Sequence, residues 1–123
     1  MNSAEARTLV ERQARAWERG DLAAIVADFA PDGVLISPGG RWQGYDALRL
    51  AAESFFAAAI DVQVVVTRVL LDGDEGAAEW TWSETSRIDG RRYTIEDAII
   101  FNLRDDQIVS WREYFDTASF RNM

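Results

Sequence analysis

Between Ala59 and Val62 the spacing of apolar residues changes from three-and-four to two, and that change restricts the chain to a narrow set of folds. Before it, Leu9, Val10, Gln13, Ala16 and Trp17 mark one face of a helix over residues 4–19, with Arg12, Arg15, Glu18 and Arg19 opposite. Ser3 is the predicted N-cap and Gly20 the stop. Asp21 caps a second, short helix carrying Leu22, Ile25, Val26 and Phe29 inward, and Pro31-Asp32-Gly33 ends it in a turn. A short strand from Val34 to Ser37 enters the Pro38-Gly39-Gly40 loop. Asp46 then caps a third helix over 47–59, with Leu48, Ala52, Phe55, Phe56 and Ala59 as its apolar stripe. After the change come four strands: Val62–Leu71, Ala77–Ile88, Arg91–Leu103 and Gln107–Phe115. Helices followed by a meander of long strands indicate an α+β domain over 1–123, a helix layer on one face of a curved, mainly antiparallel sheet.

Composition narrows the chemistry. The chain of 123 residues has no cysteine and no histidine, which removes thiolate nucleophiles, histidine triads and the usual zinc sites. All 13 basic residues are arginine, and the net charge of −8 opposes nonspecific contact with nucleic acid. No apolar run approaches the roughly 20 residues of a membrane span. Met1 to Val10, with Glu5 and Arg7, does not read as a secretory signal, so a cytoplasmic protein is expected. Any reaction must rest on carboxylates, hydroxyls, amides, arginine and the five tryptophans.

Counting across the hairpins predicts where the acids lie. If Asp89-Gly90 is a two-residue turn, Ile88 faces Arg91, and the pairs Glu84–Ile95, Trp82–Asp97 and Trp80–Ile99 share a face. That face carries the tryptophans and isoleucines, whereas Thr81, Ser83, Thr85, Thr94 and Glu96 lie on the other. A three-residue turn at Arg104-Asp105-Asp106, with Asp106 left-handed, sets Leu103 opposite Gln107, Ile99 opposite Trp111 and Asp97 opposite Glu113. Asp97 and Glu113 are then neighbours on the concave face, walled by Trp80, Trp82 and Trp111, with Glu84 further out. Two carboxyls that cannot ionise together in a low-dielectric site supply an acid and a base without histidine. An arginine clamp, or an even second turn that points Glu113 outward, would remove this arrangement.

Other candidates have competing structural readings. Gln13 either donates into the pocket or serves a helix end. Trp17, Trp42 and Tyr45 either line the mouth or pack in the core, and core packing is the default for Phe55 and Phe56. Ser37, at a strand end, is a possible ligand contact. Asp72-Gly73-Asp74-Glu75-Gly76 resembles a calcium loop in composition but lacks the later bidentate glutamate, so it reads as a turn. No metal and no cofactor are expected.

Several strings resemble the nuclear transport factor 2-like superfamily, of the SnoaL-like type, over nearly the whole chain. They are Trp17-Glu18-Arg19-Gly20-Asp21, Phe29-Ala30-Pro31-Asp32-Gly33, Gly44 before the third helix, and the closing run from Gln107 to Asp116. The resemblance implies a cone-shaped fold around a deep apolar pocket, frequently dimeric through the outer sheet face. The ending is most similar to limonene-epoxide hydrolase, with Glu113 where that enzyme keeps one catalytic aspartate. Its arginine and second aspartate correspond to Trp80 and Trp82. The tyrosine and two aspartates of ketosteroid isomerases correspond to Gln13, Ser37 and Ile99. The polyketide cyclases keep an acid at Ile99 and commonly a histidine near Trp111; Asp97 lies two residues from Ile99 on the same face. No known catalytic set is present whole.

The expectation is therefore a cofactor-free isomerase, lyase or hydrolase acting on a small apolar, cyclic metabolite. Asp97 and Glu113 are its acid and base, and Gln13, Trp17, Trp80, Trp82, Glu84, Ile95, Ile99 and Trp111 its binding residues. The alternatives are a non-catalytic binding module and a dimerisation domain whose cone is filled by its own tryptophans. A homodimer is expected through Thr81, Ser83, Thr94, Glu96, Ala98, Ile100, Arg112 and Tyr114. No nucleic-acid or membrane partner is expected.

Overall fold

The computed structural model describes residues 1–120. Helix α1 (Ser3–Arg19) is capped by Asn2 rather than Ser3: the Asn2 side chain accepts from the Glu5 amide at 2.8 Å, and the Glu5 carboxylate accepts from the Asn2 amide at 3.0 Å. This closed pair satisfies two donors, which a serine one position later would leave to water. Gly20 ends the helix in the left-handed conformation, and Asp21 caps α2 (Leu22–Ala27) as expected. Strand β1 (Phe29–Ser37) starts at the residue assigned to the second helix and runs through Pro31-Asp32-Gly33, where its pairing shifts instead of ending in a turn. β2 (Gly40–Gln43) is too short to show a period, and no strand was predicted there. Helix α3 (Tyr45–Ala58) is capped by Gly44 without a side-chain bond, so Asp46 lies in its first turn rather than at its cap.

Four long strands complete the chain: β3 (Ala59–Asp72), β4 (Glu75–Ser86), β5 (Arg92–Arg104) and β6 (Gln107–Tyr114). They form a six-stranded mixed sheet in the order β2-β1-β6-β5-β4-β3. Only the β1–β6 pair is parallel. Register shifts at Ile60/Gln63 and Val66/Arg68 in β3 and at Asn102/Leu103 opposite β6 bend the sheet around the helices. The core lies in that concavity, where Leu9 and Val10 of α1 meet Trp80, Ile99, Phe101 and Trp111 of the sheet. α1 also guards the free edge of β3. Glu18 accepts the Val64 amide at 2.8 Å, and Arg15 and Arg7 donate to the Val64 and Val66 carbonyls. An edge occupied in this way offers little to a passing strand.

Both hairpins pair differently from the count. The chain turns from Ser86 to Arg91 through a longer loop, leaving Ile88 exposed, so Trp80 faces Asp97, Trp82 faces Ile95 and Glu84 faces Tyr93. At the second hairpin Asp105 and Asp106 form a two-residue turn, both left-handed with φ of 52° and 62°, and Arg104 pairs with Gln107. A bulge at Val109 then sets Phe101 opposite Trp111 and Ile99 opposite Glu113. Each departure amounts to an even number of residues. Since side chains alternate, the concave set survives intact.

Candidate functional site

Asp97 is 3% exposed, with its carboxyl on the concave face of β5. The indole N–H of Trp80, its cross-strand partner, donates to Oδ2 at 3.1 Å. Glu113 sits diagonally across on β6, within reach of a side chain on the same face. The Trp111 indole, two residues back on that strand, donates to Glu113 Oε2 at 2.9 Å. Trp82 repeats the arrangement on β4 by donating to Glu84 Oε1 at 3.0 Å. Each concave acid is thus held by an indole, a neutral donor that orients a carboxyl without cancelling its charge. No arginine clamp is present among the described residues.

Electrostatics separate the two inner acids. Burial first, then the negative charge of Glu113 and a hydrogen bond with its carboxyl, push Asp97 from 3.8 up to about 10. The Trp80 indole and the Tyr114 backbone amide oppose the shift without reversing it. Asp97 Oδ1 is buried and meets no donor among the described residues. A proton on the Asp97 carboxyl removes that penalty, because it gives the pair an O–H to share with Glu113. Glu84 is also raised, mainly by burial, against the Trp82 hydrogen bond and the charge of Arg92.

These acids face a cavity of about 160 Å³. Glu84, Asp97, Glu113 and Ser37 are its polar residues, and Trp17, Trp42, Phe55, Trp82 and Phe115 its aromatic walls, with Ile95 beside them. No basic side chain lines it among the described residues. Of the predicted binding residues, Trp17, Trp82, Glu84 and Ile95 reach the wall together with both acids. Trp80, Ile99 and Trp111 lie beneath it, at 1–2% exposure. Gln13 is also away from it: its amide donates to the Ile25 carbonyl at 3.0 Å and to Asp28 at 2.9 Å, joining α1 to α2. Tyr45 is 41% exposed and donates to the Phe29 carbonyl, outside the cavity wall.

Phe115 was not singled out from the sequence, although alternation from Trp111 and Glu113 points to it. Phe55 sits in contact with Trp17 and Trp82, with ring centroids 5.7 and 5.4 Å away. Its helical spacing alone could not separate cavity wall from core. Among the described residues no group of three or more acids is placed to hold a metal ion.

Comparison with known proteins places the chain in a family and a fold. A family model described as SnoaL-like domain matches residues 10–111. A steroid Delta-isomerase from Nocardioides simplex is 31% identical over 117 residues, covering 92% of this chain and 91% of that protein. A putative polyketide cyclase from Xanthomonas campestris superposes with a TM-score of 0.87 at 22% identity, over 98% of this chain and 96% of the other. An epoxide hydrolase of the limonene-epoxide hydrolase-like kind from M. tuberculosis does so with a TM-score of 0.81 at 22% identity, over 98% and 89%. The two structures share the fold. The family match runs from the first helix through the cavity walls into the closing strand, and on that ground the chain belongs to the SnoaL-like domain family.

Proposed function

We propose that the chain is a proton-transfer enzyme, an isomerase or lyase acting on a small, ring-containing apolar metabolite without a cofactor. The observation that carries this reading is the pair itself: a buried Asp97 raised to about 10 beside Glu113 in a cavity walled by aromatic rings. Glu113 is the base. Trp111 fixes its Oε2, which leaves Oε1 to take a proton from a carbon next to a carbonyl. Asp97 is the acid, giving its proton to the carbonyl oxygen as the enol forms. Return of the proton from Glu113 to another carbon, and of the enol proton to Asp97, completes an isomerisation with every proton accounted for. The aromatic walls exclude water, which strengthens these charges. Trp80 and Trp111 are positioning residues.

The steroid isomerase activity of the Nocardioides relative does not carry over directly. Gln13, Ser37 and Ile99 occupy the positions of that reaction's polar groups, and Gln13 is committed to Asp28. An epoxide hydrolase is disfavoured because Trp80 and Trp82 replace the arginine and second aspartate of that set. A non-catalytic binding module draws support from the same replacements, and it predicts ligands recovered unchanged.

The test is exchange of the α-protons of cyclohexanone in deuterium oxide, followed by mass spectrometry. Wild-type protein should speed exchange, and Asp97→Asn or Glu113→Gln should each slow it by about 10²–10⁴-fold. Equal exchange in all three proteins would reject the assignment.

A further inference from the structure

The cavity has two polar ends and an aromatic middle. Trp80, not Glu84, faces Asp97, so Glu84 stands four positions along β4 from the partner of Asp97, roughly 13 Å of backbone at the rise of a strand. Between them, Trp17, Phe55 and Trp82 contact one another edge to face, with centroids 5.4–5.7 Å apart. Glu84 has one oxygen fixed by the Trp82 indole, while its second accepts from no donor among the described residues. Arg92, whose charge reaches it, is occupied with the Asp61 carbonyl, Thr85 and Gln63. The outer end is therefore an acceptor beside three π faces, with no basic wall residue among the described residues.

We propose that this cavity takes a single-ring amine, with its ring against Trp17, Phe55 and Trp82 and its ammonium on the free oxygen of Glu84. Aromatic faces and a carboxylate both favour a cation. Size sets the scale of what is held: at about 160 Å³ the space matches an engineered cavity of ~150 Å³ that holds benzene, so one ring with a short arm fills it. Anionic ligands are excluded, since carboxyls are the only ionisable groups on the wall among the described residues. This reading rests on the proposed reaction only in leaving Asp97 and Glu113 for the reacting atoms.

Calorimetric titration at neutral pH with benzylamine, benzyl alcohol and benzoate tests it. Benzylamine should bind about tenfold or more tightly than benzyl alcohol, and benzoate should not bind. Glu84→Gln, which keeps an acceptor for Trp82, should remove the amine's advantage over benzyl alcohol. Equal binding of amine and alcohol by the wild type would overturn the proposal, as would an advantage that survives Glu84→Gln. So would an advantage lost only in Glu113→Gln, since the ammonium would then sit at the inner pair, or no binding of any probe. These titrations are independent of the exchange assay: loss of amine preference with exchange intact rejects the ligand class alone, and the converse rejects the reaction alone.

Discussion

At Asp97 a single buried carboxyl ties stability to pH in an unusual direction. A group held protonated in the fold but free to ionise when unfolded favours the folded state most at low pH. Its contribution declines as pH rises from its ordinary value of 3.8 towards about 10, the window in which only the unfolded chain has released the proton. Asp97→Asn keeps the shape and an N–H donor for Glu113 but cannot ionise. It should therefore be more stable than wild type at neutral pH, by up to about 4 kcal/mol, with a gap that widens with pH. Urea unfolding of both proteins across that range measures the gap, and a constant difference would contradict the linkage. Gln13 shows the limit of reading single residues. Its apolar neighbours suggested a pocket donor, but Asp28, which also receives Arg12, lies on another element that helical spacing cannot place.

Elements were more readable than their ends. Asn2 rather than Ser3 caps α1, Gly44 rather than Asp46 caps α3, and β2 has too few residues to carry a pattern. The hairpins are the instructive case: a longer first loop and a two-residue second turn with a bulge both differ from the count, yet each preserves parity. The concave acids were legible because a face depends on odd and even positions, while the pairing partner depends on turn geometry that Asp105 and Asp106 leave open in sequence. Close packing between strands was not legible at all. Gly76 faces Phe101, and a Cβ there would stand 2.2 Å from the Phe101 ring. Gly76→Ala should therefore cost about 1–3 kcal/mol by overcrowding, seen as a lower urea midpoint. Adding Phe101→Leu should recover part of the loss, and full stability of Gly76→Ala alone would contradict the packing.

In the whole molecule, the sheet separates two unlike surfaces. Its concave side holds the cavity, whereas its convex side exposes Val65, Leu70 and Tyr114 at 52–62%. A homodimer through that convex side is our proposal, since it would cover these residues without touching the site. Light scattering at micromolar concentration should give twice the mass of 13.9 kDa, and Leu70→Glu should return the monomer. A wild-type monomer would contradict it. The acids, indoles and cavity form a unit only because α1 and α3 close the concavity over β4, β5 and β6.

The proposed reaction depends on a proton residing on Asp97 beside Glu113. Carbon-13 NMR of protein labelled at its aspartate carboxyls, with the Asp97 signal identified by its absence in Asp97→Asn, follows that proton directly. The signal should stay at the position of a protonated acid through neutral pH and move only in the alkaline range, near 10. A signal that titrates near the ordinary 3.8 would mean that Asp97 is a plain carboxylate, and the acid–base pair would not exist.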